Sequence, residues 1–259
     1  MPIVMPAYLE PIASGAEPLL ALAVASGLWL ALRRTSMEPA GRARTWTLIA
    51  VPLLLWLALV WLVSVRGTLV VHPGVYLQPI ALAIALPAVI GTFLLTRSER
   101  VAQILDATPP IWLIGFQFYR VMGGVFLALY AEGLLPGEFA LPAGIGDVLV
   151  GVLALALALR VASGGALNRT AAYAWNILGV ADFVGAVATG FLTSPGPIQL
   201  WAFDHPNTLI SAYPLVMIPA FAVPLSLILH VLSLWQLNRQ MGNTAEAKGE
   251  LGASSYAHS

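Results

Sequence analysis

The sequence predicts an all-α fold, a polytopic membrane protein built as a seven-transmembrane-helix bundle, with its N-terminus outside and its C-terminus cytoplasmic. Three observations predict it. The first is composition: of 259 residues, 59% are hydrophobic and 9% charged, and the mean hydropathy is +0.86. A soluble domain carries about 25% charged residues, so this chain cannot cover a water-facing surface. The second is length: apolar stretches recur at about 20 residues, the number of helical residues that crosses a bilayer core. The third is the alternation of charge between the connecting loops.

Residues 1–18, MPIVMPAYLEPIASGAEP, contain no basic residue. They lack the pattern of a cleavable signal, so the first span is expected to be retained. The spans are expected near residues 14–32, 46–65, 75–95, 109–131, 140–160, 171–192 and 212–237. Arg33, Arg34, Arg42 and Arg44 fall between spans one and two; Arg97 and Arg100 follow span three. Arg160 and Arg169 follow span five, and Arg239 and Lys248 follow span seven. The alternate loops hold Glu10, Glu17, Glu132, Glu138 and Asp204, with Arg66 as their one basic residue. The positive-inside bias then sets the orientation and reads as a multi-pass protein of a bacterial inner membrane. A missing or extra span would break the alternation. The tail 238–259 is polar and rich in small residues, which predicts a disordered cytoplasmic segment.

Four ionisable groups remain inside the spans. Arg120 in GFQFYRVMGGVFL and Asp182 fall near the centres of spans four and six. Asp147 lies about 5 Å to the outer side in span five, and His230 about 8 Å to the inner side in span seven. A lone charge at the bilayer centre costs about 2.5–3.5 kcal/mol on insertion scales, so Arg120, Asp147 and Asp182 are expected to form one layer. Arg120 would pair bidentately with one aspartate, leaving the other to a hydroxyl, an amide or a proton. The spacing places Gln117, Arg120 and Gly124 on one helical face, and Gly144, Asp147 and Gly151 on another. Gly179 and Gly185 flank Asp182, and Ser226, His230 and Ser233 form a polar stripe. Asn176 completes the candidate set for ligand binding or proton relay: Gln117, Arg120, Asp147, Asn176, Asp182 and His230. Gln78 and Tyr119 read as packing residues.

Other classes drop out on chemical grounds. Zero cysteines exclude disulfides, cysteine-ligated metal and cysteine nucleophiles. The only lysine is Lys248 in the tail, so no retinal Schiff base can form. Zero net charge argues against nucleic acid as a partner. There is no HExxH, GxSxG or P-loop. His72, Asp204 and His205 are weak candidates for an external metal site, with Glu132 or Glu138. Trp201 and Phe203 in the same long loop read as interfacial anchors. Pro214, Pro219 and Pro224 either break span seven or shape its entry.

These features lead to a small inner-membrane transporter or ligand-binding bundle whose midplane site takes a small anionic or proton-coupled solute. Besides the lipid bilayer, its partners would be a small-molecule or lipid ligand, and a homo-oligomer or membrane complex is open. The alternatives are a membrane-embedded enzyme acting on a lipid or isoprenoid head group, or a structural subunit whose buried charges only lock helices together. Seven spans also fit, by fold-level analogy, the three-plus-one-plus-three repeat of small sugar transporters.

Overall fold

The computed structural model describes residues 6–256, with side chains described except at 12–13 and 241–259. Among the described residues every regular element is helical: α1 (Leu9–Leu32), α2 (Pro39–Val65), α3 (Pro79–Thr96), α4 (Glu99–Ala107), α5 (Ile111–Phe116), α6 (Gly124–Ala131), α7 (Gly137–Ala162), α8 (Arg169–Thr193) and α9 (Val223–Tyr256). Among the described residues, seven segments are long and apolar enough to cross a membrane: α1, α2, α3, Ile111–Ala131, α7, α8 and Ile218–Gln240. The outward faces are apolar. Leu19, Leu55, Val89, Ile177 and Val184 are each more than 60% exposed, whereas Gln117, Arg120, Asn176 and His230 are buried. A soluble fold has the opposite arrangement; an apolar exterior around a polar interior is what a lipid environment requires.

Several boundaries differ from the hydropathy reading. Pro39 and Pro79 stand at the first helical positions of α2 and α3. Proline is pre-organised for that site because its missing N–H would have no intrahelical partner. Thus α2 starts earlier and α3 later than expected. α1 begins at Leu9, so Glu17, grouped by its charge with the outer loops although it falls within 14–32, lies in the third turn of the helix. α4 was not foreseen: it is short, capped by Ser98 Oγ, which accepts the Val101 N–H at 3.4 Å, and it buries Val101, Ala102, Ile104 and Leu105. α9 continues to Tyr256, so the stretch expected to be disordered has helical backbone up to that residue. Ala, Glu, Lys and Gln in the tail have good helix propensity, and the preceding helix removes the nucleation cost.

The fourth span is interrupted. Between α5 and α6, residues Gln117–Gly123 form a 3₁₀ helix. Here the backbones of spans four and five approach closely: a Cβ on Gly151 would lie 2.8 Å from Val121 N and 3.1 Å from Phe118 O. The three-residue period stacks Gln117, Arg120 and Gly123 on one buried face. Gly123, and not Gly124, therefore lies against Asp147.

The seventh span enters through a π turn, Ile218–Ala222, that contains Pro219; Pro224 sits at the start of α9. No proline lies beyond Pro224 within α9, so the three prolines shape the entry of the helix.

The loops gather into two groups. At one end the Tyr8 hydroxyl donates to Glu132 at 3.0 Å, and Val71 N–H donates to Ser211 Oγ at 3.2 Å. At the other, the Arg34 guanidinium lies 4.7 Å from the Trp112 ring centre, Arg239 pairs with Asp106 at 2.6 Å, and the Tyr173 hydroxyl donates to Asn238 Oδ1 at 2.5 Å.

Candidate functional site

Arg120 is the hub. Its Nε donates to Asp147 Oδ1 at 2.8 Å, and its Nη2 donates to Asp182 Oδ2. Nη1 donates to His230 Nε2 at 3.1 Å and to the Gly179 carbonyl at 3.4 Å. The guanidinium carbon stands 3.8 Å from the centre of the Phe183 ring, a distance at which a cation is attracted to the ring face. One side chain from the fourth span therefore ties together α7, α8 and α9. The expected layer forms, but its pairing differs from expectation. Arg120 does not take one aspartate bidentately; it bridges both, because its fork lies between two helices rather than facing one.

The hub sits where side chains are absent. A Cβ on Gly123 would collide with Asp147, one on Gly146 with the Asp182 carboxylate, and one on Gly179 with the His230 ring. Of the glycines singled out in the sequence, Gly179 has this role, Gly144 meets Leu127, and Gly185 faces open space. Gly146 was not singled out, because its relation to Asp182 crosses between helices.

Behind Arg120 runs a chain of neutral groups. His230 Nδ1 lies 3.0 Å from Asn176 Oδ1. Asn176 Nδ2 donates to Ser233 Oγ at 3.0 Å and to the Ala172 carbonyl at 2.9 Å. Arginine has only donors, so His230 Nε2 must accept and Nδ1 must carry the proton toward Asn176. This fixes a neutral tautomer. Trp175 packs against the imidazole with ring centres 4.7 Å apart and planes tilted by 39°, held by its own Nε1–H to the Val150 carbonyl at 2.9 Å. Gln117 donates to the Ser226 carbonyl at 3.2 Å; its Oε1 is buried without a partner. Five of the six candidates, Arg120, Asp147, Asp182, His230 and Asn176, are thus bonded into one network, while Gln117 stands apart from it on Ser226, which lines the same cavity as Arg120. Tyr119, read as packing, belongs there too: its hydroxyl pairs with Ser226 Oγ.

A cavity of about 510 Å³ borders the hub. Its polar lining is Glu17, Tyr119, Arg120, Asp147 and Ser226; most of the rest is apolar, including Leu20, Phe116 and Ile218. Glu17 is 4% exposed and its Oε2 has no hydrogen-bond partner. The external candidates behave differently. Among the described residues no three His, Cys, Asp or Glu side chains come together as a metal-ligand group, so His72, Asp204 and His205 do not assemble with Glu132 or Glu138. Gln78 instead ties the His72 turn, accepting from its N–H at 2.9 Å and donating to its carbonyl at 2.7 Å.

Residues 77–238 match the model of DUF8737, described as a domain of unknown function, over well more than half of the chain. The chain belongs to the DUF8737 family. No curated protein and no solved structure matches it.

The DUF8737 match contains the whole Arg120 hub, from Gln117 to Ser233, and the last five membrane-length segments but for the final two residues of the seventh. α1 and α2 lie outside it, and with them Glu17. The cavity therefore forms between the DUF8737 region and a helix that precedes it. Glu17 could have been found in the sequence by counting it among the ionisable groups of the expected span 14–32.

Proposed function

We propose that this DUF8737-family chain is a small multi-pass protein of a bacterial inner membrane, N-terminus outside and C-terminus cytoplasmic, that binds or transports a small solute. Asp147 and Asp182 serve as its proton acceptors. The observation that carries this reading is the position of the cavity: about 510 Å³ of space opens directly on the Arg120–Asp147 pair. Pockets of about 300–1,000 Å³ with a few converging polar groups are the usual form of small-ligand sites. Ionisable groups within a membrane segment are also costly enough to favour a functional reading.

The geometry changes the kind of solute. Every nitrogen of Arg120 is already engaged by protein acceptors, so no strong anion site is left on it. One carboxylate exceeds what Arg120 neutralises, and that excess is the group to exchange a proton or meet a ligand's donor. Orientation and location rest on the positive-inside rule. The closed circuit around Arg120 also favours a second reading, in which the charges only lock four helices together.

Two measurements decide between them. Native mass spectrometry of the purified protein is expected to show a co-purifying small molecule that Asp147→Asn loses while retaining its melting behaviour. Replacing Arg120 by Met and Asp182 by Leu together is expected to leave that ligand unbound. If the double variant is stable and keeps the ligand, or if neither it nor the parent ever carries one, the helix-locking reading stands instead.

A further inference from the structure

We infer that the cavity is an amine site, in which Glu17 receives the ammonium head of an amphiphilic amine whose body lies along the apolar walls. This rests on the reading of the cavity as a ligand site and names the chemistry of its occupant.

Glu17 is in the third turn of α1, buried to 4% exposure, lining the cavity with Oε2 unpartnered. A buried carboxylate without a donor is one of the most unfavourable groups a fold can hold. The protein does not supply the missing donor. Arg120, the one cation lining the cavity, spends its nitrogens on Asp147, Asp182, His230 and the Gly179 carbonyl. Tyr119 pairs with Ser226. The charge balance points the same way: Glu17, Asp147 and Asp182 stand against a single guanidinium. A cation in the cavity narrows that imbalance, and an anion widens it.

The walls set the chemistry of the ligand beyond its head. Leu20, Phe116, Phe183, Leu215 and Ile218 make the lining mostly apolar, and about 510 Å³ is far more than a bare ion or a proton fills. Phe116 and Tyr119 also line the cavity, and aromatic rings attract an alkylammonium group that reaches their faces. The cavity reaches Leu9 and Pro11, at the end of the bundle where exposed Glu10 and Glu132 present negative charge. A cationic amphiphile is drawn to such a mouth and an anionic one repelled.

The test uses the full chain in lipid nanodiscs and three probes with one skeleton: 4-phenylbutylamine, 4-phenylbutan-1-ol and 4-phenylbutanoate. Equilibrium dialysis against empty nanodiscs measures binding at neutral pH. The amine is expected to bind saturably, and the alcohol and carboxylate about tenfold or more weaker, the size expected for a hydrogen bond to a charged group. Glu17→Gln should weaken the amine by about tenfold and leave the alcohol unchanged. Gly15 lines the same cavity, and a Cβ there meets nothing within 4 Å. Gly15→Leu should therefore fold, occlude the space and abolish amine binding, which keeps the site testable if Glu17→Gln fails to accumulate. Amine binding that survives Glu17→Gln or Gly15→Leu overturns the assignment. Equal affinity for all three probes, lost in Gly15→Leu, overturns the amine chemistry and leaves the cavity as a ligand site. No saturable binding by any probe overturns both.

Discussion

Gly146→Ala probes the hub without touching a charged residue. The new methyl would fall on Asp182 Oδ1, whose carboxylate takes the Arg120 Nη2–H through its other oxygen. Two effects oppose each other. Alanine is better than glycine inside a helix by about 0.8–1.0 kcal/mol. Against that, the Asp182 carboxylate must swing off Arg120, and unpairing one member of a buried ion pair costs about 3–5 kcal/mol. The Asp182 side chain is only 9% exposed, so water replaces little of the lost pairing. The net expectation is a destabilisation of about 2–4 kcal/mol. Gly185→Ala is the control: it lies three residues beyond Asp182 on the same helix, and its Cβ meets nothing within 4 Å. It should be neutral or stabilised by up to about 1 kcal/mol. Titration of the detergent-purified protein with SDS, followed by tryptophan fluorescence, gives both numbers. The Gly146→Ala background should also absorb most of the cost of Asp182→Ala, since the contact is already broken. If Gly146→Ala is as stable as Gly185→Ala, or if the Gly146 and Asp182 effects simply add, the carboxylate is not held where the geometry puts it.

The remaining expectations concern the neutral chain and the α4 clamp. Histidine ¹⁵N NMR should find His230 as the Nδ1–H tautomer, with Nε2 bare and accepting from Arg120; a protonated Nε2 would refute the direction of the relay. Gln236 Nε2 donates to the Leu105 and Thr108 carbonyls, each at 2.6 Å. Gln236→Leu should therefore cost about 1–3 kcal/mol and raise amide exchange across residues 99–108. Asp106→Ala removes a pair that is one-third exposed on both sides and should cost about 0.2–1 kcal/mol by the same SDS titration. A larger loss for Asp106 than for Gln236 would reverse the assigned hierarchy.

Legibility in the sequence followed dimension. Arg120, Asp147 and Asp182 could be placed at one depth because each helical residue adds a fixed 1.5 Å, and the structure brings all three into contact. Asn176 and His230 were legible as polar residues in apolar helices, and they prove to be bonded to each other. Glu17 was grouped with the outer loops because it lies within one turn of the expected start of span one at residue 14, where hydropathy does not separate a buried carboxylate from one at the membrane surface. Gly124 was chosen over Gly123 because an α period was assumed through Gln117–Gly123, where the backbone is 3₁₀. Gly146 and Tyr119 had no signal at all: their importance lies only in what faces them from another helix.

The sequence by itself determined an all-helical chain with seven apolar segments of membrane-crossing length, and the short list of charges that must lie within them. Those are one-dimensional properties, set by apolar run length and by the cost of placing a charge in hydrocarbon. Only the tertiary structure decided that Arg120 serves two aspartates, that His230 accepts from it, and that Glu17 from α1 lines the cavity beside them. Depth along a helix is additive residue by residue. Which faces meet depends on the rotation of each helix and on where a missing side chain lets two backbones close, and those are settled by packing all the helices at once.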